Sequence, residues 1–186
     1  MTCEQNNSTH INSNCYFTVT PDTDSIALNQ PMEIKLNLPK KFIEETYGKP
    51  VEFHKDEIFA AMSIIVIDSS GTGAVNFFDA TALAGKLYRD TTSNNTEYFR
   101  NKNFTASAIL QPGDSMLRAH YILKPLRKGN YSFAFSHFGK KDVDCSLFRY
   151  YAKPQVADQH LYLLAAITGG YVGDYERTYA YCFKVY

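Results

Sequence analysis

The sequence predicts an all-β domain, and three observations lead there. Aromatic side chains are abundant in one form, with 14 Tyr and 13 Phe but no Trp, and such rings fit a pleated, half-buried surface better than a helix. Short apolar or alternating segments recur between Pro-, Gly- and Asn-rich punctuation, which is the spacing of strands and turns. No sustained 3.6-residue apolar period is interleaved with them, so a βαβ fold is excluded. The expected architecture is an antiparallel two-sheet sandwich, with an up-and-down β-barrel as the alternative. At 186 residues and 45% apolar side chains, one domain can bury roughly 70% of its extended-chain surface without metal or disulfide support.

Residues 1–14 (MTCEQNNSTHINSN) hold one aliphatic side chain, Ile11, and read as a flexible polar tether before a single domain at 15–186. Residues 15–20 (CYFTVT) are a β-prone run stopped by Pro21, with turn chemistry through Asp22 and Asp24. Residues 31–38 alternate Met32, Ile34, Leu36 and Leu38 against Glu33, Lys35 and Asn37, the period of a half-buried strand. The charged stretch 40–56 is expected to be a long connection with one short helix near 42–47. Residues 57–68 (EIFAAMSIIVID) form a continuous apolar run that a glycine-rich segment ends, as in a central strand. Shorter strands are expected near 74–79 and 83–89, followed by alternation in residues 103–111. Residues 116–124 and 130–138 read as strands in direct antiparallel connection, and 159–168 and 178–186 as two more flanking a glycine-rich turn.

The chemistry-bearing residues exclude more than they assign. A net charge of zero with no basic run supplies no field for phosphate backbones, so nucleic acid is not an expected partner. The longest uncharged stretches, 58–67 and 161–172, fall short of the ~20 apolar residues of a spanning helix. His10, His54, His120, His137 and His160 share no i, i+2 or i, i+4 spacing, and no Cys pair is spaced Cys-x-x-Cys, so no metal or cofactor is expected. The antiparallel connection would place His120 and His137 in one neighbourhood. Asp22 with Asp24, and Asp142 with Asp144, are oxygen-rich pairs that do not extend into a calcium-binding loop. No nucleophile signature is present, and the expectation is a non-enzyme. Tyr150, Tyr151, Tyr171 and Tyr175 are the candidate binding residues, because Tyr in loops offers rigid contact area at low entropic cost.

Residues 114–135 (DSMLRAHYILKPLRKGNYSFAF) resemble the E strand, corner and F strand of an immunoglobulin-like domain. In that family a Gly-x-Tyr returns a tyrosine hydroxyl to the corner backbone, and Gly129 and Tyr131 take those positions; Phe133 stands where the antibody-type domain has its disulfide Cys. The Cys3-Glu4-Gln5-Asn6-Asn7-Ser8 segment resembles the start of a processed bacterial lipoprotein, with Met1-Thr2 read as an added initiator and Cys3 as the lipid anchor. That resemblance implies an exported protein tethered to a membrane, in the periplasm or at the cell surface. It leaves the connectivity of Cys15, Cys145 and Cys182 open. The expected function is a non-catalytic binding module of the cell envelope that recognises a protein or glycan through loops at the end of the sandwich. The alternatives are a hydrolase with a loop-lined cleft, a barrel carrier of an apolar ligand, and an immunity or inhibitor protein.

Overall fold

The computed structural model describes residues 8–11, 15–43, 48, 50–52, 57–67, 75–89, 103–110, 114–138 and 147–186. In chain order the strands are β1 (Ser8–Ile11), β2 (Tyr16–Thr20), β3 (Ser25–Ile26), β4 (Met32–Pro39), β5 (Lys41–Ile43), β6 (Pro50–Glu52) and β7 (Glu57–Val66). A 3-10 turn (Val75–Phe77) leads into β8 (Phe78–Ala84), β9 (Lys86–Arg89), β10 (Asn103–Leu110), β11 (Met116–Pro125), β12 (Gly129–Phe138) and β13 (Leu147–Pro154). Two short helices, α1 (Tyr162–Ile167) and α2 (Asp174–Tyr179), precede the last strand, β14 (Tyr181–Val185). The fold is all-β, as the composition predicts.

The alternation in β4 works as read: Met32, Ile34, Leu36 and Leu38 are buried while Glu33, Lys35 and Asn37 point away from the core. On β11 the same period buries Leu117, Ala119, Tyr121 and Leu123. One group of neighbours runs β2–β4–β11–β8 and another β10–β7–β12–β14, with β10 also meeting β11 and β9. Rings join the two groups across the core. Phe17 of β2 meets Phe133 and Phe135 of β12 edge-on at 5.2 and 5.4 Å, and Phe78 of β8 meets Tyr131 at 5.0 Å and Phe183 of β14 at 6.2 Å. Fully burying each such side chain is worth ~1.5–3 kcal/mol, which is how a Trp-free chain fills its interior.

Several expectations are corrected. The sheet is mixed where the sequence predicts antiparallel pairing throughout: β13 pairs parallel with β1 and β2, and β14 parallel with β3. Ser8–Ile11, read as part of the tether, forms β1 because its backbone completes the free edge of β13. Lys41–Ile43 pairs antiparallel with Pro50–Glu52, so residues 42 and 43 are strand where the sequence predicts a short helix near 42–47; residues 44–47 lie outside the described residues. The strands on either side of residues 126–128 do not pair with each other: β11 lies beside β4, β10 and β8, and β12 beside β7, β13 and β14. The connection is a corner between two groups of strands, and Tyr131 donates its hydroxyl to the Arg127 carbonyl at 2.9 Å. Residues 159–168 are helical at their centre, since Leu and Ala are good helix formers and Gly169 and Gly170 supply the positive φ of a C-terminal stop.

Candidate functional site

The sheet register defines an excursion. On one flank of β12, Ala152 of β13 opposes Phe135 and Tyr181 of β14 opposes Phe133, so β14 resumes the line that β13 leaves. Residues 155–180 are looped out between them and carry both helices. The N-terminal strands follow the same line on its other side: β1 and β2 run parallel with β13, and β3 runs parallel with β14. Where the line breaks, their connection through residues 21–24 stands beside the base of the excursion.

Side chains from that connection pin the base. Asp22 Oδ2 accepts the Ala157 backbone N–H at 2.7 Å. Tyr162 donates its hydroxyl to Asp24 Oδ2, and Ser25 donates to Asp24 Oδ1 at 2.9 Å. The Tyr162 bond, foremost, holds the Asp24 carboxyl below its ordinary value, and Asp24 in turn raises the Tyr162 phenol. The buried Tyr181 hydroxyl donates to the Thr23 carbonyl at 2.8 Å and accepts the Thr23 N–H at 3.1 Å. Gln159 closes the neck: its Nε2 donates to the Ala180 carbonyl at 2.7 Å, and its own carbonyl accepts the Cys182 N–H at 2.9 Å. The mostly buried His160 ring packs edge-on to Tyr181 at 5.5 Å, with Asp22 and Asp158 oxygens 4.0 and 3.7 Å from its nitrogens.

Beyond the neck the excursion faces outward. Neither helix has a buried residue, although Val172 and Ala180 are buried and α2 packs against β13. Tyr171, between the helices, is 73% exposed; Tyr162 is 52%, Ile167 44% and Tyr175 39% exposed. An open concavity of about 460 Å³ lies against α1. Pro154, Val156, Ala157 and Leu161 give it apolar walls. Its polar groups come from Asp158, Gln159, Tyr162 and Thr178.

The sequence-derived candidates divide. Tyr171 lies in a loop, whereas Tyr175 stands on α2 with its ring 5.3 Å from that of Tyr179. Tyr150 and Tyr151 are corrected from loop to strand: they belong to β13, opposite His137 and Ser136 of β12, where aromatic residues suit the pleated backbone. Cys3 and Cys145 lie outside the described residues, as do Asp142 and Asp144. Cys15 and Cys182 are both buried. Tyr162 was hidden by the strand reading of 159–168; the Leu-Ala run ending in Gly169-Gly170 is the signal that exposes it.

Of the histidines, His120 meets Glu33 Oε2 at 3.1 Å on the outward face of β11 and β4, with Lys35 Nζ 3.3 Å from the same oxygen. Lys35 first, then His120, holds the Glu33 carboxyl low. Asp22 and Asp24 are occupied in anchoring the chain, and among the described residues no three His, Cys, Asp or Glu side chains gather as a metal site.

No protein-family model matches this chain, and no curated protein matches it. Among solved structures it is similar to a chain studied for pH-induced modulation of Streptococcus parasanguinis adhesion by Fap1 fimbriae, at 7% identity and TM-score 0.29, over 69% of this chain and 68% of that one. It is also similar to a family 123 glycoside hydrolase from Clostridium perfringens, at 10% identity and TM-score 0.28. That match spans 72% of this chain and 23% of the hydrolase.

Proposed function

We propose that this chain is a non-catalytic binding module of the bacterial cell envelope, an Ig-like two-sheet sandwich that recognises a protein or glycan through residues 155–180. The observation that carries the reading is an ordered excursion whose two helices hold no fully buried residue and which displays Tyr162, Ile167, Tyr171 and Tyr175. Ordering each residue costs ~1–2 kcal/mol of backbone entropy, and a segment that returns little of this to the core fits the common use of elaborated loops on rigid scaffolds for recognition. The tyrosine corner and the strand order β2–β4–β11–β8 support the Ig-like part. Export and lipid attachment at Cys3 complete the proposal. The reading expects no enzymatic step: the imidazole–carboxylate pair of His120 and Glu33 stands on an outward strand face.

Affinity capture from bacterial envelope extracts tests the reading, with proteins and glycans both analysed. The chain carrying Tyr171→Ser and Tyr175→Ser should fold as the parent does and lose at least about tenfold in capture, the size of effect expected when aromatic anchors are removed. Equal capture by the two chains contradicts the placement of the recognition surface.

A further inference from the structure

We infer that the concavity against α1 is a saccharide subsite, an inference that rests on the binding-module reading and names its ligand class. The donor and acceptor inventory of the wall leads to it. Tyr162 spends its hydroxyl proton on Asp24, and Thr178 spends its own on the Asp174 carbonyl at 2.8 Å. Gln159 spends one of its two amide protons on the Ala180 carbonyl and keeps the other beside its Oε1 acceptor. Asp158 accepts the His160 backbone N–H at 2.8 Å on Oδ1 and keeps further lone pairs on an exposed carboxylate. The polar wall is therefore rich in acceptors, and its complement is a ligand dense in O–H donors.

An anionic ligand such as phosphate meets the Asp158 charge and finds few donors. A purely apolar ligand would strip water from these acceptors without replacing their bonds, an unreturned desolvation cost at each one. A sugar satisfies both sides of the wall. Its hydroxyls serve Asp158, Gln159 and Thr178, and its C–H face lies on Pro154, Leu161 and the Tyr162 ring. Tyr162 is preorganised as a platform, because the bond to Asp24 holds the half-exposed ring from across the neck. The volume, about 460 Å³, lies within the ~300–1,000 Å³ range of small-molecule sites.

The test is an NMR titration of the full chain with lactose, cellobiose and N,N′-diacetylchitobiose, with inorganic phosphate and a lysine tripeptide as chemical controls. At least one disaccharide should shift the amides of residues 156–162 and 178. Thr178→Val and Asp158→Asn should each weaken that binding by about tenfold. Tyr162→Phe, which keeps the ring but loses its bond to Asp24, should bind more weakly than the parent and more strongly than Tyr162→Ala, and the parent-like spectrum of Thr178→Val separates lost contacts from lost folding. Three outcomes overturn the inference: shifts from the controls but no disaccharide, no shifts at all, or disaccharide shifts indifferent to Thr178 and Asp158. If envelope capture nevertheless depends on Tyr171 and Tyr175, the ligand class fails while the binding-module reading stands; if both fail, so does that reading.

Discussion

Tyr181 shows how one side chain can hold the base of the excursion. Its ring lies in the core and its hydroxyl closes two bonds with the Thr23 backbone. Burial pushes its phenol up from 10.0 to about 12, and burial likewise pushes the neighbouring Cys182 thiol from 9.0 to about 11. Both groups are neutral in the folded and unfolded chain below about pH 9. Above it the unfolded chain loses protons that the folded chain retains, so stability is complete on the acid side and declines as pH rises through about 9 to 12. Cys182→Ala should move the onset of that decline from about pH 9 to about pH 10, leaving the Tyr181 component. Urea unfolding at closely spaced pH values measures the shift, and an unchanged onset would show that Cys182 does not contribute to it.

Among the elements, the excursion depends on partners that are remote in sequence. Asp22 and Asp24 reach it across more than a hundred residues, so no local pattern announces that a turn aspartate anchors a helix. Replacing Asp22 by Ala leaves the Ala157 N–H without its carboxylate. Losing a bond to a charged group costs roughly 1.5 kcal/mol or more, enough for about a tenfold rise in local opening. Limited proteolysis should therefore cut within residues 155–180 about ten times faster, with the far-UV spectrum unchanged. An unaltered cleavage rate would mean that the Asp22 bond does not pin the neck.

The same distinction explains what could be read from the sequence. Strands β4 and β11 are legible because one buried face imposes a period of two, and β10 because its sequence alternates in the same way. The Tyr131 corner is legible because Gly129 and Tyr131 are local to it. Strands β1 and β13 are not, since their pairing joins Ser8–Ile11 to a segment near the other end of the chain. Tyr171 could be placed in its loop from its glycine neighbours. Tyr162 could not be placed at the concavity while its segment read as a strand.

For the whole molecule, the aromatic core belongs to the strands, and the excursion lends the interior Val156, Val172 and Ala180 at its base. Rings from β2, β8 and β11 meet those of β12 and β14, whereas α1 and α2 bury no residue. Because Tyr181 opposes β12 only two residues from the partner of Ala152, β13 and β14 can be joined by a short glycine-containing link in place of residues 155–180. The shortened chain should retain cooperative unfolding and the near-UV signature of a packed aromatic interior. The decisive measurement is its capture of protein and glycan from envelope extracts beside the intact chain. A folded but inert shortened chain is the predicted result; a folded shortened chain that captures the same material as the intact one would contradict recognition through the excursion.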